Sequence, residues 1–86
     1  MKIATNKLYV IVLRSFCDFS TYFEIYDDCT IPELRFIYPS KDGSGMTDSE
    51  VVATGTQTEL RAFLADIKSL QNKFLELIED VRYDHS

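Results

Sequence analysis

Few residues in this sequence have the types and spacing that chemistry would require. The single histidine, His85, is the penultimate residue, so no imidazole lies in the body of the sequence to act as a general base. The two cysteines, Cys17 and Cys29, have no activating base near them in the sequence. Segment 41–45 contains glycines but lacks the strand and helix context and the Lys-Ser or Lys-Thr ending of a phosphate-binding loop. We therefore expect no enzyme activity, no catalytic residues, no metal and no cofactor.

The carboxylates of Asp27, Asp28 and Glu33 are the remaining candidates for acid–base chemistry. They fall in and just after a predicted turn, where carboxylates are usually solvated rather than catalytic. The cysteines are expected to stay reduced, because the strand assigned below would hold them about 25 Å apart at roughly 3.3 Å per residue. A disulfide needs Cα atoms within about 7 Å of each other.

Acidic residues are concentrated in the middle of the chain. The whole sequence has a net charge of −5, residues 1–17 carry three basic groups and no acid, and residues 18–50 carry eight acids against two bases. Such a surface repels nucleic-acid phosphates and attracts a basic protein groove, so we expect a protein partner and no direct nucleic-acid binding. The simpler alternative is that turns recruit these acids for local hydrogen bonds and solubility. The predicted partner-binding acidic face comprises Asp18, Asp27, Asp28, Glu33, Asp42, Asp48 and Glu50.

The elements that position these residues are predicted to be four antiparallel strands within residues 1–55. Residues 7–14 are rich in β-branched and aromatic side chains and are assigned to a central strand, followed by a hairpin at Cys17 and Asp18. Residues 19–26 alternate as a half-buried strand, and Leu34, Phe36 and Tyr38 define the inward face of a third. Residues 40–49 form a long loop, and residues 51–54 form a short fourth strand. With 86 residues, 45% of them hydrophobic, the chain is expected to be a single α+β domain.

One long amphipathic helix is predicted over residues 56–83, packed on the sheet. Thr56 and Glu59 have the spacing of a capping box, which satisfies two backbone donors at a helix start. The apolar positions then alternate in steps of three and four from Leu60 to Val81. Such a helix is about 40 Å long at 1.5 Å per residue, whereas an eight-residue strand spans roughly 26 Å.

The helix is therefore expected to extend past its sheet and to expose apolar residues there. A second copy of the same stripe is the simplest partner, so a homodimer is predicted, with self-association through Leu70, Phe74, Leu77 and Val81. The alternative is a monomer, because Leu64, Leu75 and Ile78 widen the stripe into that of a helix lying flat on a sheet.

These features favour a small acidic protein-binding module that inhibits or adapts a partner by occupying its basic surface. In size, charge and lack of a catalytic constellation, the analogy is with phage anti-defence (anti-CRISPR-like) proteins and with immunity proteins that neutralise toxins. The alternative is a structural or assembly subunit that self-associates through its C-terminal helix, and a third class is an enzyme that uses the turn carboxylates. The longest apolar run, residues 8–13, is too short to cross a membrane, and no signal peptide precedes it, so a soluble cytoplasmic protein without membrane partners is expected.

Overall fold

A computed structural model describes residues 1–28 and 30–84, with side chains as far as residue 77. The fold is α+β, with a four-stranded antiparallel sheet followed by a C-terminal helix, as predicted. The strand order is β1-β4-β3-β2, so the first strand pairs with the fourth and not with the second. The elements in chain order are β1 (Lys2–Ile3), α1 (Leu8–Cys17), β2 (Tyr22–Tyr26), β3 (Glu33–Pro39), β4 (Thr47–Thr54) and α2 (Gln57–Asp84).

The segment predicted as a central strand, residues 7–14, is instead most of helix α1, and the predicted strand there is wrong. Ile11, Ser15 and Phe16 form the buried side of this helix at helical spacing. Ser15 can be buried because its hydroxyl donates a hydrogen bond to the carbonyl of Val12 at 2.6 Å. The periodicity is hidden because Tyr9 and other outward residues of α1 are apolar as well. A short apolar run of this kind does not by itself distinguish a helix from a buried strand.

The turn after α1 is not the predicted hairpin, because it follows a helix and not a strand. Asp18 ends the helix, and its N–H donates to the carbonyl of Arg14 at 2.9 Å. The chain then reverses through bonds from the N–H and the hydroxyl of Thr21 to the Asp18 carbonyl, at 3.2 and 2.7 Å. Cys17 is exposed at the end of α1 and is not in a disulfide; Cys29 and His85 lie outside the described residues.

The other three strands follow the predicted meander. In β3, Leu34 and Phe36 are fully buried on the inward face, as their alternation predicts. Strand β4 pairs with β3 from Thr47 onward and is longer than predicted, because the polar residues 47–50 belong to the ladder rather than to the loop. The two-residue β1 completes the sheet at the outer edge of β4.

The core lies between the sheet and the two helices. Ile11 from α1 and Leu60 from α2 join the sheet residues Leu34, Phe36 and Ala53 in one buried cluster. At roughly 25 cal/mol per Å² of buried apolar surface, these contacts are the main favourable term in folding. Both helices therefore lie against the same face of the sheet.

Helix α2 begins with the predicted capping box. The Thr56 hydroxyl accepts from the Glu59 N–H at 3.2 Å, and the Glu59 carboxylate accepts from the Thr56 N–H at 3.1 Å. The helix runs for 28 residues, which is about 42 Å at 1.5 Å per residue. It extends past the sheet, whose longest strand has 8 residues.

Candidate interaction surfaces

An apolar groove lies between the outer sides of the two helices. Its volume is about 350 Å³. At its base the rings of Phe16 and Phe74 are in contact, with centroids 5.5 Å apart. We call this feature the interhelical groove; its lining is Tyr9, Val12, Leu13, Phe16, Leu70, Lys73, Phe74 and Leu77.

Large apolar side chains are left in solvent along this groove. Tyr9 is 76% exposed, Leu70 55% and Leu77 63%. The same stripe of α2 is buried nearer the sheet, where Leu60 is fully buried and Ile67 is 5% exposed. The stripe thus changes from core to surface where the helix leaves the sheet.

Three of the four residues predicted to mediate self-association, Leu70, Phe74 and Leu77, lie together in the interhelical groove. The fourth, Val81, lies outside the described side chains. The α1 wall of the groove was not predicted from the sequence, because these residues were assigned to a strand. The residues of this wall, Tyr9, Val12, Leu13 and Phe16, have the i, i+3, i+4, i+7 spacing of one side of a helix, but apolar residues between them hide that pattern in the sequence.

The residues of the predicted acidic face are divided between the two ends of the sheet. Asp27 and Asp28 lie in the β2–β3 turn and Glu33 begins β3, whereas Asp18, Asp42 and Asp48 lie near the opposite end. The seven residues of β3 separate the two groups, a length of about 20 Å at 3.3 Å per residue. Glu50, opposite Phe36 in the middle of the sheet, belongs to neither end.

Several of these carboxylates also bond to other side chains of the protein. Glu33 pairs with Arg35 at 2.8 Å, the Asp27 carboxylate accepts from the Gln57 side chain, and Glu50 accepts from the Thr5 hydroxyl at 3.3 Å. The Glu33–Arg35 pair is a local contact within β3, whereas the other two bonds join segments that are distant in the sequence.

Hydrogen bonds lower the pKa of two of these acidic residues, Asp18 and Asp42. Hydrogen bonds from the hydroxyl and then the N–H of Ser20 lower the pKa of Asp18, with a further contribution from the charge of Arg14. Bonds from the hydroxyl and the N–H of Ser44 likewise lower the pKa of Asp42. Both carboxylates therefore stay ionised to a lower pH than an aspartate without these hydrogen bonds.

A second concave site lies between α1 and the sheet. Unlike the apolar interhelical groove, it is lined by several charged side chains. It has a volume of about 360 Å³, and three cationic side chains line it: Lys7, Arg14 and Lys41. The Arg14 guanidinium carbon stands 5.0 Å from the ring centroid of Tyr38. We call this feature the cationic cavity. The sequence alone did not indicate it, because Lys41 is far from the other two residues along the chain and only the helical form of α1 brings them together.

Within the described residues, no group of three or more His, Cys, Asp or Glu side chains is arranged to hold a metal ion. None of the helices in the described part of the chain is long and apolar enough to cross a membrane. Comparison with protein-family models, with curated proteins and with solved structures returned no match for the chain.

Proposed function

We propose that this chain is a protein-binding module whose working surface is the interhelical groove, and that the groove binds a second copy of the same chain. The observation that supports this proposal most strongly is the exposure of Leu70 and Leu77 beside Tyr9 on a surface formed by two helices. Exposed apolar surface that is contiguous, rather than scattered singly, marks interaction sites.

The size of the groove fits one side of a small interface. Its exposed apolar side chains present on the order of 500 Å² of accessible surface, near the upper range for the largest patch on a monomer. A standard interface buries about 800 Å² on each partner.

A second copy is the occupant that the chemistry favours. Among the described side chains that line the groove, Lys73 alone is charged, so the surface that covers this part must be largely apolar. The chain presents such a surface itself. In a two-fold arrangement the same patch serves on both sides, and Glu76, three residues after Lys73 on α2, is available to pair with the partner's lysine.

The test is a charge placed in the groove and a matched charge placed elsewhere. Leu77→Lys should weaken the dimer strongly, because it places a second ammonium group beside Lys73 in an otherwise apolar surface. Ile31→Lys is the control, since Ile31 is 59% exposed and lies outside the groove. Sedimentation equilibrium on both variants measures the effect. Equal dimer affinities for the two variants would contradict the proposal.

A second candidate is the inhibitor or adaptor that occupies a partner's basic surface in the cytoplasm. It is favoured by the exposure of Asp27, Asp28, Asp42 and Asp48. Because the acids lie at two ends of the sheet, one partner would engage one end.

Charge reversal distinguishes the two ends. The double variant Asp27→Lys with Asp28→Lys reverses the β2–β3 turn, and Asp48→Lys changes the opposite end. Reversal at the working end should slow association with a basic partner, and the loss should shrink as salt shortens the Debye length toward about 3 Å at 1 M. An association rate that neither variant changes at low salt excludes this candidate.

A further inference from the structure

The cationic cavity concentrates positive charge in a protein that is otherwise acidic. Lys7 precedes α1, Arg14 lies two turns further along the same helix, and Lys41 reaches the cavity from the β3–β4 loop. Against these three cations the cavity has one acid, Glu50, in a chain whose net charge is −5. Several cations that converge on one concave site repel each other unless an anion joins them.

The donors of this cluster are largely unused by the protein. Among the described residues, neither lysine ammonium has an acid within ion-pair distance. The nearest acid to Arg14 is Asp18, with Nε and Oδ2 3.9 Å apart, at the outer limit of an ion pair. Within the described part of the chain, the guanidinium group makes no shorter polar contact, so its fork of N–H groups is available to an oxyanion.

Glu50 does not neutralise the cluster. Its carboxylate accepts a hydrogen bond from the Thr5 hydroxyl at 3.3 Å, and it forms no ion pair with the described side chains that line the cavity. Three cations and this one carboxylate leave the cavity with a formal charge of +2, which matches the charge of a phosphate monoester dianion.

The remaining lining of the cavity is apolar and aromatic. Val10 and Ile11 form the α1 wall, and Phe36 and Tyr38 form the side provided by the sheet. Arg14 is held over this aromatic pair, 5.0 Å from the centroid of Tyr38 and 5.9 Å from that of Phe36. Such stacking restricts the guanidinium while its edge stays open to an anion. The volume of about 360 Å³ lies within the range of roughly 300–1,000 Å³ that small-molecule sites occupy.

We propose that the cationic cavity binds a small organic phosphate monoester, with the phosphate held by Lys7, Arg14 and Lys41 and the organic part against Val10 and the aromatic side chains. This site is separate from the interhelical groove, and it stands whether or not the chain forms a dimer.

Phenyl phosphate is a suitable probe, because it combines the dianion with an aromatic body. Titration of the isotope-labelled full chain, followed by amide shifts in two-dimensional NMR, should show saturable changes in α1 and the β3–β4 loop. Arg14→Gln and Lys41→Gln should each weaken binding by about tenfold, the effect of one charge-assisted hydrogen bond. Lys68→Gln is the control: it makes the same change in net charge in a separate cavity, and it should change the affinity by less than about twofold.

Saturable binding of phenyl phosphate that the two cavity variants weaken and the control does not would support the site. The absence of saturable shifts, or equal weakening by Lys68→Gln, would overturn it. An equal affinity for inorganic phosphate would overturn the assignment of an organic ligand. Arg14→Gln and Lys41→Gln both change exposed residues, so misfolding would not obscure the result.

Discussion

Glu59 joins the start of α2 to the beginning of the chain. Its carboxylate accepts hydrogen bonds from the Met1 ammonium group and from the N–H and hydroxyl of Thr56. These bonds, with that from the ammonium group largest, lower the pKa of Glu59 from 4.5 to about 2. Gly55 allows the approach, because a Cβ there would lie 3.0 Å from the Met1 Cα atom.

The lowered pKa predicts a definite pH dependence of stability. A carboxylate whose folded pKa is below its unfolded pKa stabilises the fold above the unfolded value, and that contribution is lost as pH falls. For Glu59 the loss should occur between pH 4.5 and about 2. The unfolding temperature of wild type should therefore exceed that of Glu59→Gln above pH 5, and the difference should vanish near pH 2. A difference that stays constant over this range would contradict the assignment.

Helix α2 has two parts that should respond differently to mutation. Leu60 is fully buried in the core cluster, and Leu70, on the same stripe, is 55% exposed. Leu60→Ala should lower the free energy of unfolding by roughly 2–5 kcal/mol, because it leaves a cavity. Leu70→Ala should cost less than about 1 kcal/mol in the monomer.

Urea unfolding of both variants at a protein concentration low enough to keep the chain monomeric measures this difference. If Leu70→Ala cost as much as Leu60→Ala, the interhelical groove would be part of the core rather than an interaction surface.

Elements with local signals could be predicted from the sequence. The capping box at Thr56 and Glu59 and the alternation of Leu34 and Phe36 depend on neighbouring residues, and both predictions are confirmed. Helix α1 could not be recognised in this way, because buried Ser15 interrupts its apolar side and exposed Tyr9 extends apolar character to its outer side. Only tertiary packing decides whether such a segment forms a helix or a buried strand.

Neither concave site could be predicted from the sequence, because both depend on α1. Phe16 meets Phe74 in the interhelical groove, and Arg14 meets Lys41 in the cationic cavity, only when residues 8–17 are helical. The division of the acidic residues between two ends of the sheet could not be predicted either. The distribution of charge along the chain does not show at which end of the sheet each turn lies.

The whole molecule is elongated. Its radius of gyration is 14.9 Å, compared with about 12 Å for a compact domain of this length. Its longest dimension is 52 Å, and the main cause is the part of α2 that extends past the sheet. Covering that part with a second copy would add core that a single small domain lacks.

The molar mass in solution tests self-association most directly. Light scattering on the eluting protein, from low to high micromolar concentration, should approach twice the chain mass of 9.9 kDa as concentration rises, because the interhelical groove is then occupied by a second copy. A mass that stays at 9.9 kDa at every concentration would contradict the proposal.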